Sequence, residues 1–548
     1  MAEFQSISMK VYSAIAKSLI DHGVETLFGL IGDGNLYIVD SFVREFRGDY
    51  VSAANEAGAT LMALGYATAS GKVGVATVTH GPALTNTLTA LVEGVRAQAS
   101  IVLLCGDTAV EDKNHFQNIP QRELIVATGA GFEQLRSPKT VAQDVATALR
   151  RAIVERRPIA LNMPYEFQSL DTDYRPVRYK LPENRAVVPS SADLDNAVGI
   201  IAAAKRPVIV AGRGATSPEA KAAILRLAEL TDALLATTLK AKGLFKDEAF
   251  GIGVMGTVST SLAVDLILKA DCIIGFGASL NEYTTSHGAF LKGKRIVQIN
   301  LEQGEVGRYI DPDAGVVGDP ALTADVIAHW LEEAEVPKSG FRNDEIKQQL
   351  LSYSAAADIK DQSTDTTIDV EKALLKLNDL VPANRYVVTD GGRFLASAWK
   401  LIEPPDGRSF MHTVNFGSIG LGMSHAVGVA KAHPERPILI ICGDGGFMLG
   451  GLMEFNTAVR HSLDIIVVVC NDNSYGAEHV QFRMNNMDPK LSALGWPDFA
   501  PIADVLGGKG VTVRNETDLA AAGDAIRNRK GPILIDVKTD PDRVPGFR

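Results

Sequence analysis

Pro437-Ile438-Leu439-Ile440-Ile441-Cys442-Gly443-Asp444-Gly445-Gly446 leads through a helical stretch to Asp464-Ile465-Ile466-Val467-Val468-Val469-Cys470-Asn471-Asp472-Asn473-Ser474-Tyr475-Gly476. Both runs are almost continuously apolar, as strands buried on both faces are, and both stop abruptly at Gly, Asp or Asn. Strand, helix and strand at this spacing make the unit of a parallel sheet with a right-handed crossover. The same kind of run recurs at 100–105, 207–211, 271–274, 295–299 and 385–389, with helical patterns such as 86–97 and 193–204 between them. The fold class that follows is α/β, built from doubly wound parallel sheets.

The chain has 548 residues, which at about 150 residues per domain is too long for one core. Two polar stretches, 174–191 with three prolines and the charged 339–365, read as linkers. They divide the sequence into domains at 1–185, 186–345 and 360–548. The first and third share a rhyme: Val75-Ala76-Thr77-Val78-Thr79-His80-Gly81-Pro82 leads to Cys105-Gly106-Asp107 much as Ile441-Cys442-Gly443-Asp444-Gly445 leads to Cys470-Asn471-Asp472.

Composition excludes several classes of function. Apolar residues make up 46% and the formal net charge is −11, with no Lys/Arg block to neutralise nucleic acid or an anionic membrane. The apolar runs are strand-sized, well below the roughly 18 residues that cross a bilayer. The N-terminal Met1-Ala2-Glu3-Phe4-Gln5 lacks a secretory pattern. Cys105, Cys272, Cys442 and Cys470 lie in apolar stretches without metal-type spacing and read as reduced core residues. A cytoplasmic enzyme is expected.

The chemistry concentrates where the quoted strands end. Asp444 and the Asn471-Asp472 pair reach neighbouring strand ends with oxygen ligands alone, which suits Mg²⁺ bridging a diphosphate. Gly443, Gly445 and Gly446 let backbone and a helix N-terminus approach phosphate oxygens. Asp390-Gly391-Gly392-Arg393 follows another buried strand and offers further N–H groups and a guanidinium.

These motifs resemble the diphosphate and Mg²⁺ signature of thiamine-diphosphate-dependent enzymes, and the resemblance covers nearly the whole chain. The first domain is similar to the pyrimidine-binding domain of acetolactate synthases and related 2-oxoacid decarboxylases, through Gly29-Leu30-Ile31-Gly32-Asp33-Gly34-Asn35, Ala54-Asn55-Glu56-Ala57-Gly58, His80-Gly81-Pro82-Ala83 and His115-Phe116-Gln117. The middle resembles their central, Rossmann-like domain through Arg206-Pro207-Val208-Ile209-Val210-Ala211-Gly212. The third resembles their diphosphate-binding domain through Asp390-Gly391-Gly392-Arg393 and Gly417-Ser418-Ile419-Gly420.

The resemblance implies roles residue by residue. Glu56 would stand against the cofactor's aminopyrimidine and favour the tautomer that removes the thiazolium C2 proton. Gly391, Gly392, Arg393, Gly417, Ser418, Gly443, Asp444, Gly445, Gly446, Asn471 and Tyr475 would line the cofactor, with Ile419 beneath its bend. Asp444, Asp472 and the Ser474 carbonyl would hold the metal, with one extra residue accommodated in 447–453. Counting from Asp444 instead selects Asn471. Glu478, three residues after Tyr475, matches a proton-managing Glu of pyruvate-type decarboxylases. Gln117 matches an active-site Phe-Gln pair, and Asp33 stands in a loop bordering substrate. His80 replaces a common Ser, either as a proton relay or as a hydrogen-bonded turn residue.

The family shares each active site between subunits, so a homodimer or homotetramer is expected. Gly277-Ala278-Ser279-Leu280-Asn281 lacks the Arg of flavin-dependent relatives, which argues against FAD. The expected activity is decarboxylation of a 2-oxoacid, the product being protonated or joined to an aldehyde or ketone acceptor. The alternatives are a 2-hydroxyacyl-CoA lyase, for which the tail at 540–548 offers only Arg543 and Arg548, and a catalytically silent regulatory homologue.

Overall fold

The computed structural model describes residues 6–177, 179, 187, 189 and 191–543. Most of the 174–191 linker and the first five residues lie outside them. Twenty strands follow in chain order: β1 Ile7–Lys10, β2 Thr26–Gly29, β3 Asp49–Ser52, β4 Gly74–Val78, β5 Ile101–Asp107, β6 Gly131–Gln134, β7 Ile159–Pro164 and β8 Asp171–Tyr174. Next come β9 Pro207–Ala211, β10 Leu234–Thr237, β11 Gly251–Val254, β12 Cys272–Phe276, β13 Arg295–Asn300 and β14 Ala314–Val317. The last six are β15 Tyr386–Thr389, β16 Phe410–His412, β17 Ile438–Gly443, β18 Ile465–Asn471, β19 Lys509–Val513 and β20 Ile533–Lys538.

Three domains each carry a six-stranded parallel sheet. The middle sheet runs β11-β10-β9-β12-β13-β14, the order of a doubly wound nucleotide-binding fold, with its switch point between β9 and β12. The first runs β3-β2-β4-β5-β7-β6 and the third β16-β15-β17-β18-β20-β19. Ranked by chain position, these two orders are identical, so the rhyme read from sequence reflects one topology used twice. β1 and β8 form a separate antiparallel pair. All four cysteines are free and buried.

By compactness the described residues within Met1–Pro182, Val388–Gly392 and His412–Asp542 form one unit; those within Glu183–Val387 and Arg393–Met411, with Arg543, form another. In the first unit the helix Glu56–Ser70 packs on the helix Gly422–Ala432. Their backbones touch: a Cβ on Gly65 would lie 2.1 Å from the His425 carbonyl oxygen, and one on Gly428 1.9 Å from that of Met62. His425 is buried in the Gly422–Ala432 helix, its ring nitrogens without a hydrogen-bond partner among the described residues, and burial holds its imidazole down to about 4, so it is neutral there.

The second unit corrects one expectation. The polar stretch 339–365 is no simple linker: it contains the helix Asp344–Ser352, and Phe341 and Ile346 join the core under β9 and β10. Charge on the outer face of that helix masked its buried anchor Ile346 and the Phe341 just before it.

Candidate active site

β17 and β18 are adjacent and parallel, so their C-terminal ends deliver Asp444 and Asp472 side by side. Asp444 is 3% and Asp472 8% exposed. The Ser474 N–H points between them, 3.1 Å from Asp444 Oδ2 and 3.1 Å from Asp472 Oδ1, and the Ser474 hydroxyl donates to Asp472 at 2.9 Å. Burial, with the facing Asp472 carboxylate, pushes the Asp444 carboxyl well above its usual range. Two buried like charges in this arrangement call for a cation. Among the described residues no cluster of three or more His, Cys, Asp or Glu side chains is gathered to hold one. The pair offers carboxylate oxygens of the kind a hard cation takes.

Asn471 is turned away from this pair. Its side-chain N–H₂ donates to Asp536 on β20 at 2.8 Å and its oxygen accepts the Asn473 N–H at 3.1 Å. Within the 447–453 stretch, the helical run that begins at Asp444 passes through a π-helix at Phe447–Gly451 before the helix Leu452–Arg460. A π-turn absorbs one added residue without breaking a helix.

Part of the glycine cradle is filled by protein. A Cβ on Gly446 would lie 2.6 Å from Asp390 Oδ2, one on Gly445 2.8 Å from the Tyr475 ring, and one on Gly391 3.0 Å from Ile419 Cγ2. Asp390, given no role from sequence beyond its motif, is buried and accepts the N–H groups of Gly420 at 2.8 Å and Leu421 at 3.2 Å. Burial raises its carboxyl above the usual range, against the pull of those N–H groups. It ties the end of β15 to the Gly417-Ser418-Ile419-Gly420 turn, where Gly417 and Gly420 have φ of 83° and 82°. Arg393 begins the 393–411 segment of the other compact unit.

A second cluster forms at the C-terminal ends of β2, β4 and β5. The Thr79 hydroxyl donates to Asp33 at 2.7 Å and lies 3.3 Å from His80 Nδ1; Asp33 Oδ2 lies 3.8 Å from His80 Nε2, which has no hydrogen-bond partner. His80 is buried and meets the His115 ring edge-on at 5.5 Å. Against the push of burial, the Thr79 hydroxyl, His80 and the Gly34 N–H hold the Asp33 carboxyl below its usual range. Gly81 has φ of 61° and stands where a Cβ would be 2.5 Å from the Gln117 carbonyl, which brings the 115–117 loop over His80. Asp33, His80 and Gln117 are therefore neighbours. Thr79 and His115 belong with them, and their adjacency to His80 and Gln117 in sequence was the available signal.

Glu56 opens the helix Glu56–Ser70 behind an Asn55 N-cap whose side chain accepts the Ala57 N–H. Its carboxylate accepts from Asn86 at 3.0 Å, and no hydrogen bond among the described residues ties it to either cluster. Glu478 is exposed on the first turn of the helix Gly476–Met484.

Three family models match the chain in order: the N-terminal TPP binding domain of thiamine pyrophosphate enzymes over residues 9–127, their central domain over 194–327, and their C-terminal TPP binding domain over 390–537. The acetolactate synthase of Arthrospira platensis is 26% identical over 96% of this chain and 94% of its own length. The acetolactate synthase large subunit of Parasynechococcus marenigrum is 27% identical over 96% and 86%. The sulfoacetaldehyde acetyltransferase of Alcaligenes xylosoxydans xylosoxydans is 26% identical over 93% and 89%. With a Gly-Asp-Gly turn and paired carboxylates at the strand ends where its C-terminal model matches, the chain belongs to the thiamine pyrophosphate enzyme family and is a thiamine-diphosphate-dependent enzyme.

Proposed function

We propose that the protein is a Mg²⁺- and thiamine-diphosphate-dependent enzyme that decarboxylates a 2-oxoacid and either protonates the product or joins it to an aldehyde or ketone. The observation that carries this reading is the buried Asp444–Asp472 pair bracketing the Ser474 N–H beside the Gly445-Gly446 turn. The names of the relatives, acetolactate synthases and an acetyltransferase, support carbon–carbon chemistry on a small acyl donor. When bound, the cofactor supplies a carbon nucleophile at C2 and an electron sink for the carbon left after CO₂ departs.

The chain's own residues divide the remaining work. Residues 1–185 bind the pyrimidine, 186–345 form the central domain and 360–548 bind diphosphate and metal. Asp444, Asp472 and the Ser474 carbonyl hold Mg²⁺; the placement of the Asn471 amide on Asp536 supports Asp472 over Asn471 as ligand. Gly391, Gly392, Arg393, Gly417, Ser418, Ile419, Gly443, Gly445, Gly446 and Tyr475 would hold the cofactor. Glu56 exchanges a proton with the aminopyrimidine. Asp33 and Thr79 orient His80, whose Nε2 is left to move a proton at the substrate carbonyl oxygen, and Gln117 closes over it.

FAD has no part in this reading. At the central switch point the Gly212 and Gly214 N–H groups are spent on the Phe276 and Gly277 carbonyls, at 2.8 and 3.2 Å, so they do not face a pyrophosphate. The working enzyme is a cytoplasmic homodimer or homotetramer whose sites lie between subunits.

A panel of 2-oxoacids scored for CO₂, with and without an acceptor aldehyde, tests the activity; CO₂ release from none of them contradicts it. Glu478 is assigned to the protonation step. Glu478→Gln is expected to lower steady-state aldehyde release by roughly 100-fold or more, with the CO₂ released in the first turnover less affected, and aldehyde release at the wild-type rate removes that assignment.

A further inference from the structure

Glu454 is a charged side chain that sequence reading passed over, ten residues beyond Asp444 in Leu452-Met453-Glu454-Phe455. It is 1% exposed, and the Arg460 guanidinium on the same helix attracts it from behind Thr457, whose hydroxyl accepts from Arg460 Nη2 at 2.8 Å. Its two oxygens lie 3.1 and 3.3 Å from the Ala54 nitrogen, and the Thr457 hydroxyl donates to Oε2 at 2.7 Å. Burial pushes its carboxyl up, while Thr457 and the N–H groups of Ala54 and Asn55 pull it back. A carboxylate so placed persists only because those donors face it. Arg460, on the same helix, donates to the Ser52 carbonyl at 2.8 Å. Gly58 is the residue that makes room: a Cβ there would be 2.2 Å from Glu454 Oε1.

One helix of the third domain thus grips the turn from Ser52 to Asn55, and the next residue is Glu56. The grip is reciprocal. Glu93 of the first domain, 0% exposed, accepts from the Asn415 N–H at 3.2 Å, the Asn415 side chain at 2.7 Å and the Phe416 N–H at 2.7 Å, directly before Gly417-Ser418-Ile419.

We infer that Glu454 is a positioning residue that sets the direction of the Glu56 carboxylate through the Ala54–Asn55 turn. The inference rests on the proposed proton-exchanging role of Glu56. A side chain on the first position of a helix points where the capping turn sends it, and proton transfer is intolerant of misplacement by even about 1 Å.

The test uses the full-length protein with thiamine diphosphate and Mg²⁺, comparing Glu454→Ala, Glu454→Gln, Gly58→Ala and Glu56→Gln. Three quantities are read: hydrogen exchange at cofactor C2 under saturation, cofactor affinity by calorimetry, and amide exchange of residues 52–58 in the cofactor-free protein. Glu454→Ala is expected to slow C2 exchange about 10- to 100-fold and to speed amide exchange at Ala54 and Asn55 about tenfold or more, with cofactor affinity within about threefold. Glu454→Gln, which keeps an acceptor for the Ala54 N–H, is expected to recover most of the C2 rate. Where Glu454→Ala does not fold, Gly58→Ala serves, since Ala favours the helix yet displaces the carboxylate, and the same slowing is expected.

A wild-type C2 rate in folded Glu454→Ala or Gly58→Ala overturns the positioning role, as does equal slowing in Glu454→Gln and Glu454→Ala. Loss of exchange in Glu56→Gln alone locates the failure in the positioning role. Retention of exchange in Glu56→Gln overturns the reading of Glu56 and this inference with it.

Discussion

Glu56→Gln is expected to lower the rate of CO₂ release by roughly 100- to 10,000-fold, the range that a positioned acid–base group supplies. The fold has little stake in this carboxylate. It is partly exposed, its one side-chain hydrogen-bond partner among the described residues is Asn86 at 3.0 Å, and a Gln oxygen accepts that bond as well. Removing a charge from the first turn of the Glu56–Ser70 helix forfeits about 0.3–1 kcal/mol of dipole interaction, too little to unfold a protein of this size. Turnover under saturating cofactor, read beside a thermal melt, therefore separates the two effects. Activity within tenfold of wild type would remove Glu56 from the chemistry.

The second large effect falls on binding. Asp444→Asn and Asp472→Asn are each expected to weaken Mg²⁺-dependent binding of thiamine diphosphate by more than the roughly 10- to 100-fold that loss of an outer-shell metal partner costs. The cofactor-free proteins are expected to behave differently. Asp444 and Asp472 face each other in a buried site, so neutralising one relieves repulsion, and the Asn oxygen still accepts the Ser474 N–H. Neither variant should melt below wild type without ligand. Calorimetric titration with and without Mg²⁺, together with the melt, checks both halves. A variant that binds normally contradicts the metal assignment; one that merely unfolds contradicts the electrostatic account of the pair.

What could be read before the structure depended on how locally each feature is encoded. Strands such as β17 and β18 are apolar on both faces, so a run like Ile465 to Cys470 announces a buried parallel strand by itself. Sheet order is not local; the identity of order between the first and third sheets surfaced only as a rhyme of motifs. Short edge strands such as β14 and β16 carry too few apolar residues to stand out.

Site residues behaved in the same way. Asp33, His80 and Gln117 stand in different loops, yet the ends of parallel strands bring them together. Thr79 and His115 were quoted within their motifs but given no role, because a Thr or His beside a motif residue looks like filler until its contacts are seen. Asp390 had no role of its own and Glu454 none at all, because much of what holds them is backbone N–H, which no side-chain pattern records. That the Asn471 amide is held by Asp536, 65 residues away in sequence, could not be read from the motif either.

Hydrogen exchange at C2 of thiamine diphosphate, followed by NMR with the wild-type protein and Mg²⁺, bears most directly on the claim that these residues assemble a working cofactor site. The account predicts exchange faster than that of free cofactor by roughly 100-fold or more, the smallest gain expected of a positioned acid–base group. Exchange no faster than in free cofactor would contradict it.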